Sequence, residues 1–290
     1  MALPRRSSLN VFVRQTVRHS VSALSILSEP LRSRVRRRAY VKSAERATLL
    51  DTSSSPPTLV LMVYRAVNVS LVQMLLRQLD SNADVRLWAL DAIAPELASK
   101  TLGCGVGMRF THLNRLYNAS PVLNGSWVIL ADDDVFFIKG DLDRTIDLMK
   151  RSGLSLAQPG QSVLGWWNFF FTVSRPFLYA RDTNYVEQGP LIIADPEFAK
   201  LILPFPEDDD MGWGIEALWY RIKEGRFRTG IIDGCRVVHQ VRAARSYQAL
   251  PQMLSMNERL VNSGMNSIWQ LQSVNARWWR WQDSPSWKEG

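Results

Sequence analysis

Trp127-Val-Ile-Leu-Ala-Asp-Asp-Asp-Val-Phe-Phe-Ile138 is the stretch on which the fold is read. Its apolar run, Val128 to Leu130, is stopped by three consecutive carboxylates, Asp132, Asp133 and Asp134, and apolar residues resume at Val135. A short, continuous apolar run predicts a buried strand. Acids cannot follow that strand into a core unpaired, because burying each charge is strongly unfavourable. The strand is therefore expected to end at the rim of a sheet, where its acids meet a cation. In open α/β sheets the ligand crevice lies at such carboxyl ends. Oxygen ligands there suit Mg²⁺ or Mn²⁺, which bridge protein carboxylates to substrate phosphates. Acid clusters also occur in ordinary turns, so the weight falls on what accompanies the triplet.

Upstream, Leu59–Tyr64 is a second continuous apolar run, and Val69, Val72, Leu75, Leu76 and Leu79 recur at helical spacing. Val85–Leu90 is a further strand, ending in Asp91. Strand, helix, strand in this rhythm predicts a parallel βαβ unit. Gly103–Gly107 reads as a glycine-rich turn and Met108–Tyr117 as a helix. Downstream, Gly140–Arg151 predicts a helix with Leu142, Ile146 and Met149 on one face, followed by a short strand at Leu154–Ala157. There is no Walker lysine motif and no Gly-x-Gly-x-x-Gly after the first strand, which disfavours a P-loop or a dinucleotide fingerprint.

The second half is different in character. Trp166–Phe171 is an aromatic cluster, more often core than ligand platform. Val186–Ala194 reads as a strand and Pro196–Leu203 as a short helix. Two glycines flank Trp213 in a loop whose backbone can approach a ligand closely. Glu216 falls in the first turn of the next helix, where the helix dipole favours a carboxylate. Thr229–His239 is a strand or hairpin that delivers His239. Taken singly, a helix-start acid and a lone histidine are ordinary structural features.

Of 290 residues, 46% are hydrophobic and 21% charged, which is ordinary globular composition. The net charge of +8 is uneven: eleven bases face two acids up to Arg46, and 24 face 25 beyond it. The body is thus nearly neutral and no nucleic acid partner is expected. Cys104 and Cys235 lie in no metal-ligand spacing, and no apolar run is long enough to span a bilayer. A cytoplasmic location is expected, with sequons at Asn68, Asn118 and Asn124 as chance matches. Residues 1–56 form a basic, flexible leader ending in the linker Ser53–Pro57. Within it Val13, Val17, Val21 and Leu24, beside Arg14 and Arg18, could instead form an amphipathic helix in peripheral contact with an anionic membrane. Residues 57–240 form the main domain. Residues 241–290 add a helical, Trp-rich extension with Leu250, Met253, Leu254 and Leu260 at roughly helical spacing, ending in Trp278, Trp279, Trp281 and Trp287.

From Leu59 to His239 these pieces together resemble a GT-A-fold glycosyltransferase. The ordered set of Asp132–Asp134, Gly212-Trp-Gly-Ile-Glu216 and His239 is similar to inverting family-2-like and β-1,4-galactosyltransferase-like enzymes. Gln158-Pro159, Val186-Glu187, Gly212-Trp-Gly214 and Ile231–His239 resemble the DUF707 family of glycosyltransferase-like proteins. The resemblance implies an α/β fold with a mixed, mostly parallel sheet flanked by helices. It also implies metal-dependent transfer of a sugar from a nucleotide-diphosphate donor to an acceptor hydroxyl, with inversion. Carried over residue by residue, it makes Asp134 and His239 ligands of Mn²⁺ or Mg²⁺, with Asp132 at the ribose or the metal shell. It places Arg65, Asp91, Arg109 and Asp133 at the nucleotide, Glu187, Trp213 and Gly214 at the sugars, and Glu216 as general base. Galactosyltransferase-like enzymes have Glu-Asp after Gly-Trp-Gly, whereas Ala217 follows Glu216 here, so Asp209 and Asp210 are rival bases. The implied partners are a UDP-sugar rather than a GDP-sugar and a glycan or lipid-linked acceptor. A non-catalytic glycan- or nucleotide-binding module is the alternative. A metal-dependent phosphohydrolase fits less well, lacking the extra ligands of a two-metal site.

Overall fold

The first apolar run forms strand β1 (Thr58–Tyr64), buried at every position. Its alternate side chains enter two different cores, because successive residues of a strand point to opposite faces. Val60, Met62 and Tyr64 join one core, and Leu59, Leu61 and Val63 the other. Helices therefore cover both faces of the sheet. The computed structural model describes residues 29–47, 56–206, 211–240 and 249–279.

After β1 come helix α2 (Val69–Leu76), β2 (Asp84–Ala89) and β3 (Thr101–Cys104). Helix α3 (Arg109–Asn118) then leads to β4 (Trp127–Asp132) and β5 (Val135–Lys139). Strands β4, β1, β2 and β3 are adjacent and all parallel, as the βαβ rhythm predicts. Thr101–Cys104 is an edge strand that the glycine-rich composition of Gly103–Gly107 hides.

Helix α4 (Leu142–Ser152) begins at Asp141, whose side chain accepts a hydrogen bond from Arg144 N at 2.8 Å, and ends at Gly153 with φ 64°. These are a side-chain N-cap and a left-handed C-cap. There follow β6 (Leu156–Gln161), β7 (Leu178–Thr183), β8 (Leu191–Ala194), α5 (Pro196–Ile202), α6 (Ile215–Lys223) and the eleven-residue β9 (Thr229–His239). With β10 (Val274–Trp279), the ten-stranded sheet among the described residues runs β10-β7-β9-β6-β8-β4-β1-β2-β3, with β5 pairing on β9. Beyond the parallel block, β8 is antiparallel to both β4 and β6, and β6 pairs parallel with β9.

Three expectations change in detail. Only Leu191–Ala194 of the predicted Val186–Ala194 strand is extended; Gly189-Pro190 is a cis peptide in the turn before it. The C-terminal extension is helical in α7 (Ala249–Asn262) but finishes as strand β10 (Val274–Trp279), antiparallel to β7. Trp278 and Trp279 thus extend the sheet, while Trp281 and Trp287 lie outside the described residues. Within the basic leader, Glu29–Ala47 forms helix α1, which lies on β5. Ser43 Oγ donates to Phe137 O, and Tyr40 meets Phe136 edge-on, ring centroids 5.7 Å apart. The proposed amphipathic stretch Val13–Leu24 lies outside the described residues. Among the described residues, no helix is long and apolar enough to cross a membrane.

Candidate active site

The chain reverses at Asp133-Asp134. β4 ends on Asp132, while β5 leaves the neighbouring strand and pairs with β9 instead. In that ladder Val135 faces His239. The register alone therefore carries the imidazole to the aspartate triplet across more than 100 residues of chain. His239 Nε2 lies 3.1 Å from Asp134 Oδ1 and 3.7 Å from Asp132 Oδ2. One ligand atom from each of Asp132, Asp134 and His239 falls within 4.8 Å of the others. Two carboxylates and an imidazole at this spacing suit a small divalent cation. Burial by itself lowers the basicity of His239. The hydrogen bond to Asp134 and the charges of Asp134, Asp132 and Glu187 outweigh it and hold the imidazole at about 9.

Asp132 is shared. Its Oδ1 accepts an ion pair from Arg109 Nε at 3.0 Å, from the first residue of α3. Asp133 turns away from the triad: its Oδ2 accepts from Arg65 N at 2.6 Å, bracing the end of β1. Burial raises the Asp133 carboxyl to about 6 against that hydrogen bond. Asp91, beyond β2, accepts from Ala66 N at 2.9 Å and from Ala92 N at 2.8 Å. Chiefly through the Ala66 bond, it is held below the usual carboxylate range. Arg65, Asp91 and Asp133 thus share the carboxyl edge of the parallel block, next to the triad.

The turn Glu187-Gln-Gly-Pro190 joins this edge to the far side of the site. Glu187 is buried among amides: its carboxylate accepts from Gln161 Nε2 at 2.7 Å and Asn168 Nδ2 at 2.6 Å, and its N–H donates to Gln158 Oε1 at 2.6 Å. Burial nevertheless raises it to about 7. Gln188 N donates to Glu216 Oε1 at 3.3 Å, while its side chain accepts from Arg109 Nη1 and donates to Met211 O at 3.2 Å. A Cβ at Gly189 would come within 2.9 Å of Asp132 Oδ2, so any larger residue would push that carboxylate out of its present position in the triad. Pro190 O accepts from Asp132 N at 2.7 Å.

Glu216 is buried in the first turn of α6. The helix starts at Gly214, whose φ of 87° is a backbone conformation side chains disfavour. Arg259 Nη1 of α7 donates to Trp213 O at 3.1 Å, so α7 backs this loop. Asp209 and Asp210 lie outside the described residues.

Asp132, Asp134, His239, Arg109, Glu187 and Glu216 therefore border one constellation, with Gln188 as the link. Gln188 carries no sequence signal, since a polar residue before Gly-Pro is unremarkable. Gln158 and Gln161 carry a weak one: each is an amide in a strand that is buried throughout. Arg109 Nη2 and Gln158 Nε2 are buried donors with no hydrogen-bond partner among the described residues. Such donors are costly unless something else satisfies them.

No family model matches the chain, and no curated protein matches it. The resemblance of individual segments to DUF707 therefore has no support from a family model. Solved structures do match. The crystal structure of GalNAc-T7 with UDP, GalNAc and Mn²⁺ superposes with a TM-score of 0.51 at 9% identity, covering 70% of this chain and 48% of that one. S. aureus TarS 1–349 in complex with UDP-GlcNAc gives a TM-score of 0.47 at 11% identity, covering 71% of this chain and 67% of that one. The chain spans about half the length of the GalNAc-T7 chain. At such identity the likeness is one of fold: this chain has the GT-A-type α/β fold of glycosyltransferases.

Proposed function

We propose that this protein transfers a sugar from a nucleotide-diphosphate donor to an acceptor hydroxyl, with inversion at the anomeric carbon. The observation that carries the reading is the junction, through the Glu187–Pro190 turn, of the Asp132–Asp134–His239 cluster with Glu216. A Mn²⁺ or Mg²⁺ ion held by Asp134, His239 and Asp132 supplies charge neutralisation for a diphosphate leaving group.

The remaining work belongs to side chains. Arg109 has one face committed to Asp132 and Gln188, and its Nη2 has no hydrogen-bond partner among the described residues, which leaves a donor to offer a phosphate oxygen. Arg65, Asp91 and Asp133 border the nucleotide end of the edge. Glu187, fixed by its amide neighbours, orients a donor-sugar hydroxyl. Glu216 takes the proton of the acceptor hydroxyl while that oxygen attacks the anomeric carbon and the bond to the diphosphate breaks. General-base assistance of this kind is worth roughly 10²–10⁴-fold. Trp213 and Gly214 shape the acceptor side. A UDP-sugar is the expected donor, and a glycan or lipid-linked hydroxyl the expected acceptor.

The test is a thermal-shift panel of UDP- and GDP-sugars with and without Mn²⁺, because ligands selective for the native state raise the melting temperature. A Mn²⁺-dependent shift is expected with at least one UDP-sugar. If none shifts the protein, the reading fails. Glu216→Gln should keep the shift and lose transfer and donor hydrolysis. A shift with no turnover in the wild type would make the chain a nucleotide-sugar-binding module instead.

A further inference from the structure

We propose that helix α1, together with the loop it holds at residues 163–170, is a docking face for an anionic phospholipid bilayer. The helix carries seven Lys and Arg residues against two Glu. One stripe of it faces the domain, at the spacing of one helical face. On that stripe Ser43 donates to Phe137 O, and Arg36 Nη1 donates to Leu164 O at 2.7 Å. Arg32 donates to Gly165 O and stacks over the Trp166 ring at 5.6 Å.

The opposite face is unlike an ordinary solvated one. Arg34, Arg37, Arg38 and Lys42 are exposed there, and apolar side chains lie between them: Leu31 is 66% exposed and Val41 50%. The same loop also exposes Val163, next to the Leu164 that Arg36 holds, by 55%, and farther along it Phe170, under Arg175, by 52%. None of these apolar groups is needed to pack α1 on the sheet, since the inner stripe does that. Bases interleaved with apolar side chains match a bilayer surface, which offers anionic headgroups and an acyl boundary together. A nucleic acid backbone would pair with the bases but gain nothing from Leu31, Val41 or Phe170, which favours lipid as the occupant.

The face is tied to the candidate site by covalent neighbours. Trp166, beneath Arg32, donates its backbone N–H to the backbone carbonyl of His239 at 2.9 Å, and Asn168 Nδ2 donates to Glu187. Docking would thus hold the site close to the membrane surface. That the bilayer then presents a lipid-linked acceptor rests on the transfer reading; the docking itself does not.

The experiment is co-sedimentation of the full-length protein with phosphatidylcholine vesicles, and with vesicles containing phosphatidylserine, at low and high salt. The partner variant is Arg34→Gln/Arg37→Gln/Arg38→Gln. The expected result is salt-sensitive binding to phosphatidylserine vesicles only, weakened about a hundredfold in the variant, from about fivefold per base. Amide exchange of the wild type on vesicles should show protection in residues 31–42 and 163–170, a readout that does not depend on the variant folding. Equal binding to both vesicle types, no binding, or protection confined to residues 1–28 would overturn the proposal. So would charge-dependent capture of duplex RNA without vesicle binding. No outcome depends on nucleotide-sugar binding, so failure of docking and failure of the transferase reading are separable.

Discussion

Arg109 divides its guanidinium between Asp132 and Gln188, and Gln188 divides itself among Arg109, Met211 and Glu216. The proposed metal side and the proposed base are therefore joined through two residues, Arg109 and Gln188. Gln188→Ala keeps the backbone N–H that holds Glu216 but removes both carboxamide bonds. Each such bond is worth about 1 kcal/mol net. The expected result is a small loss of stability with a roughly tenfold weaker Mn²⁺-dependent affinity for UDP, measured by calorimetry, as Arg109 loses its second support. Unchanged affinity would make Gln188 a packing residue only. Asp134→Ala should be harsher and of a different kind. It removes the Mn²⁺-dependent part of UDP binding while leaving any metal-independent part, and equal Mn²⁺ dependence in the mutant would reject Asp134 as a ligand. At this scale the sequence is informative where charge meets an apolar run, as at Asp132–Asp134, because burial leaves acids few places to go. It is silent at Gln188, whose role comes from a turn that folds back on distant strands.

Elements were legible wherever one rule governed them. Unbroken apolar runs became β1 and β4, and Asp141 and Gly153 set the ends of α4. Where two rules compete the sequence misleads: Gly103 sits in β3 despite its turn-like company, and Val186 lies outside any strand despite its β-branched side chain. Nor could periodicity reveal that β5 leaves β4 for β9, although that one pairing is what delivers His239. The start of α6 offers the sharpest test of an element's geometry. Gly214 holds φ 87°, and a Cβ there would meet Met256 Cα at 3.0 Å. Gly214→Ala should cost about 1–3 kcal/mol through backbone strain alone, read as a lower midpoint in urea. It should also disturb Glu216 two residues on, so any transfer activity should fall further than the stability loss accounts for. A variant as stable as the wild type would mean that the loop relaxes freely and does not fix the base.

Charge also masks packing at the scale of the whole molecule. Composition separated residues 1–56 from the body by charge, yet α1 lies over Phe136 and Val238 in a satellite core with Leu71 and Met74. Basic residues conceal this, because their stems and hydrogen-bonding heads pack while their charge reads as solvent. The site's electrostatics also act on the whole fold. Burial raises Asp133 to about 6 and Glu187 to about 7, and the paired acids raise His239 to about 9. All three groups bind protons more tightly folded than unfolded, so stability falls as pH rises through each window. For the acids the loss runs from their ordinary range near 4 up to about 6 and 7. For His239 it runs from 6.5 to about 9 and is on the order of 3 kcal/mol. Without metal, the site's contribution therefore declines from acid towards pH 9. A bound divalent ion reverses the sign, because it requires the neutral imidazole and its affinity then rises about tenfold per pH unit below the pKa of about 9. Melting temperatures measured with EDTA and with Mn²⁺ from pH 5 to 9 should diverge as pH increases. Curves that stay parallel would place the ion away from His239, and the Asp132–Asp134–His239 cluster would then be an ion-paired strand end with no ligand to hold.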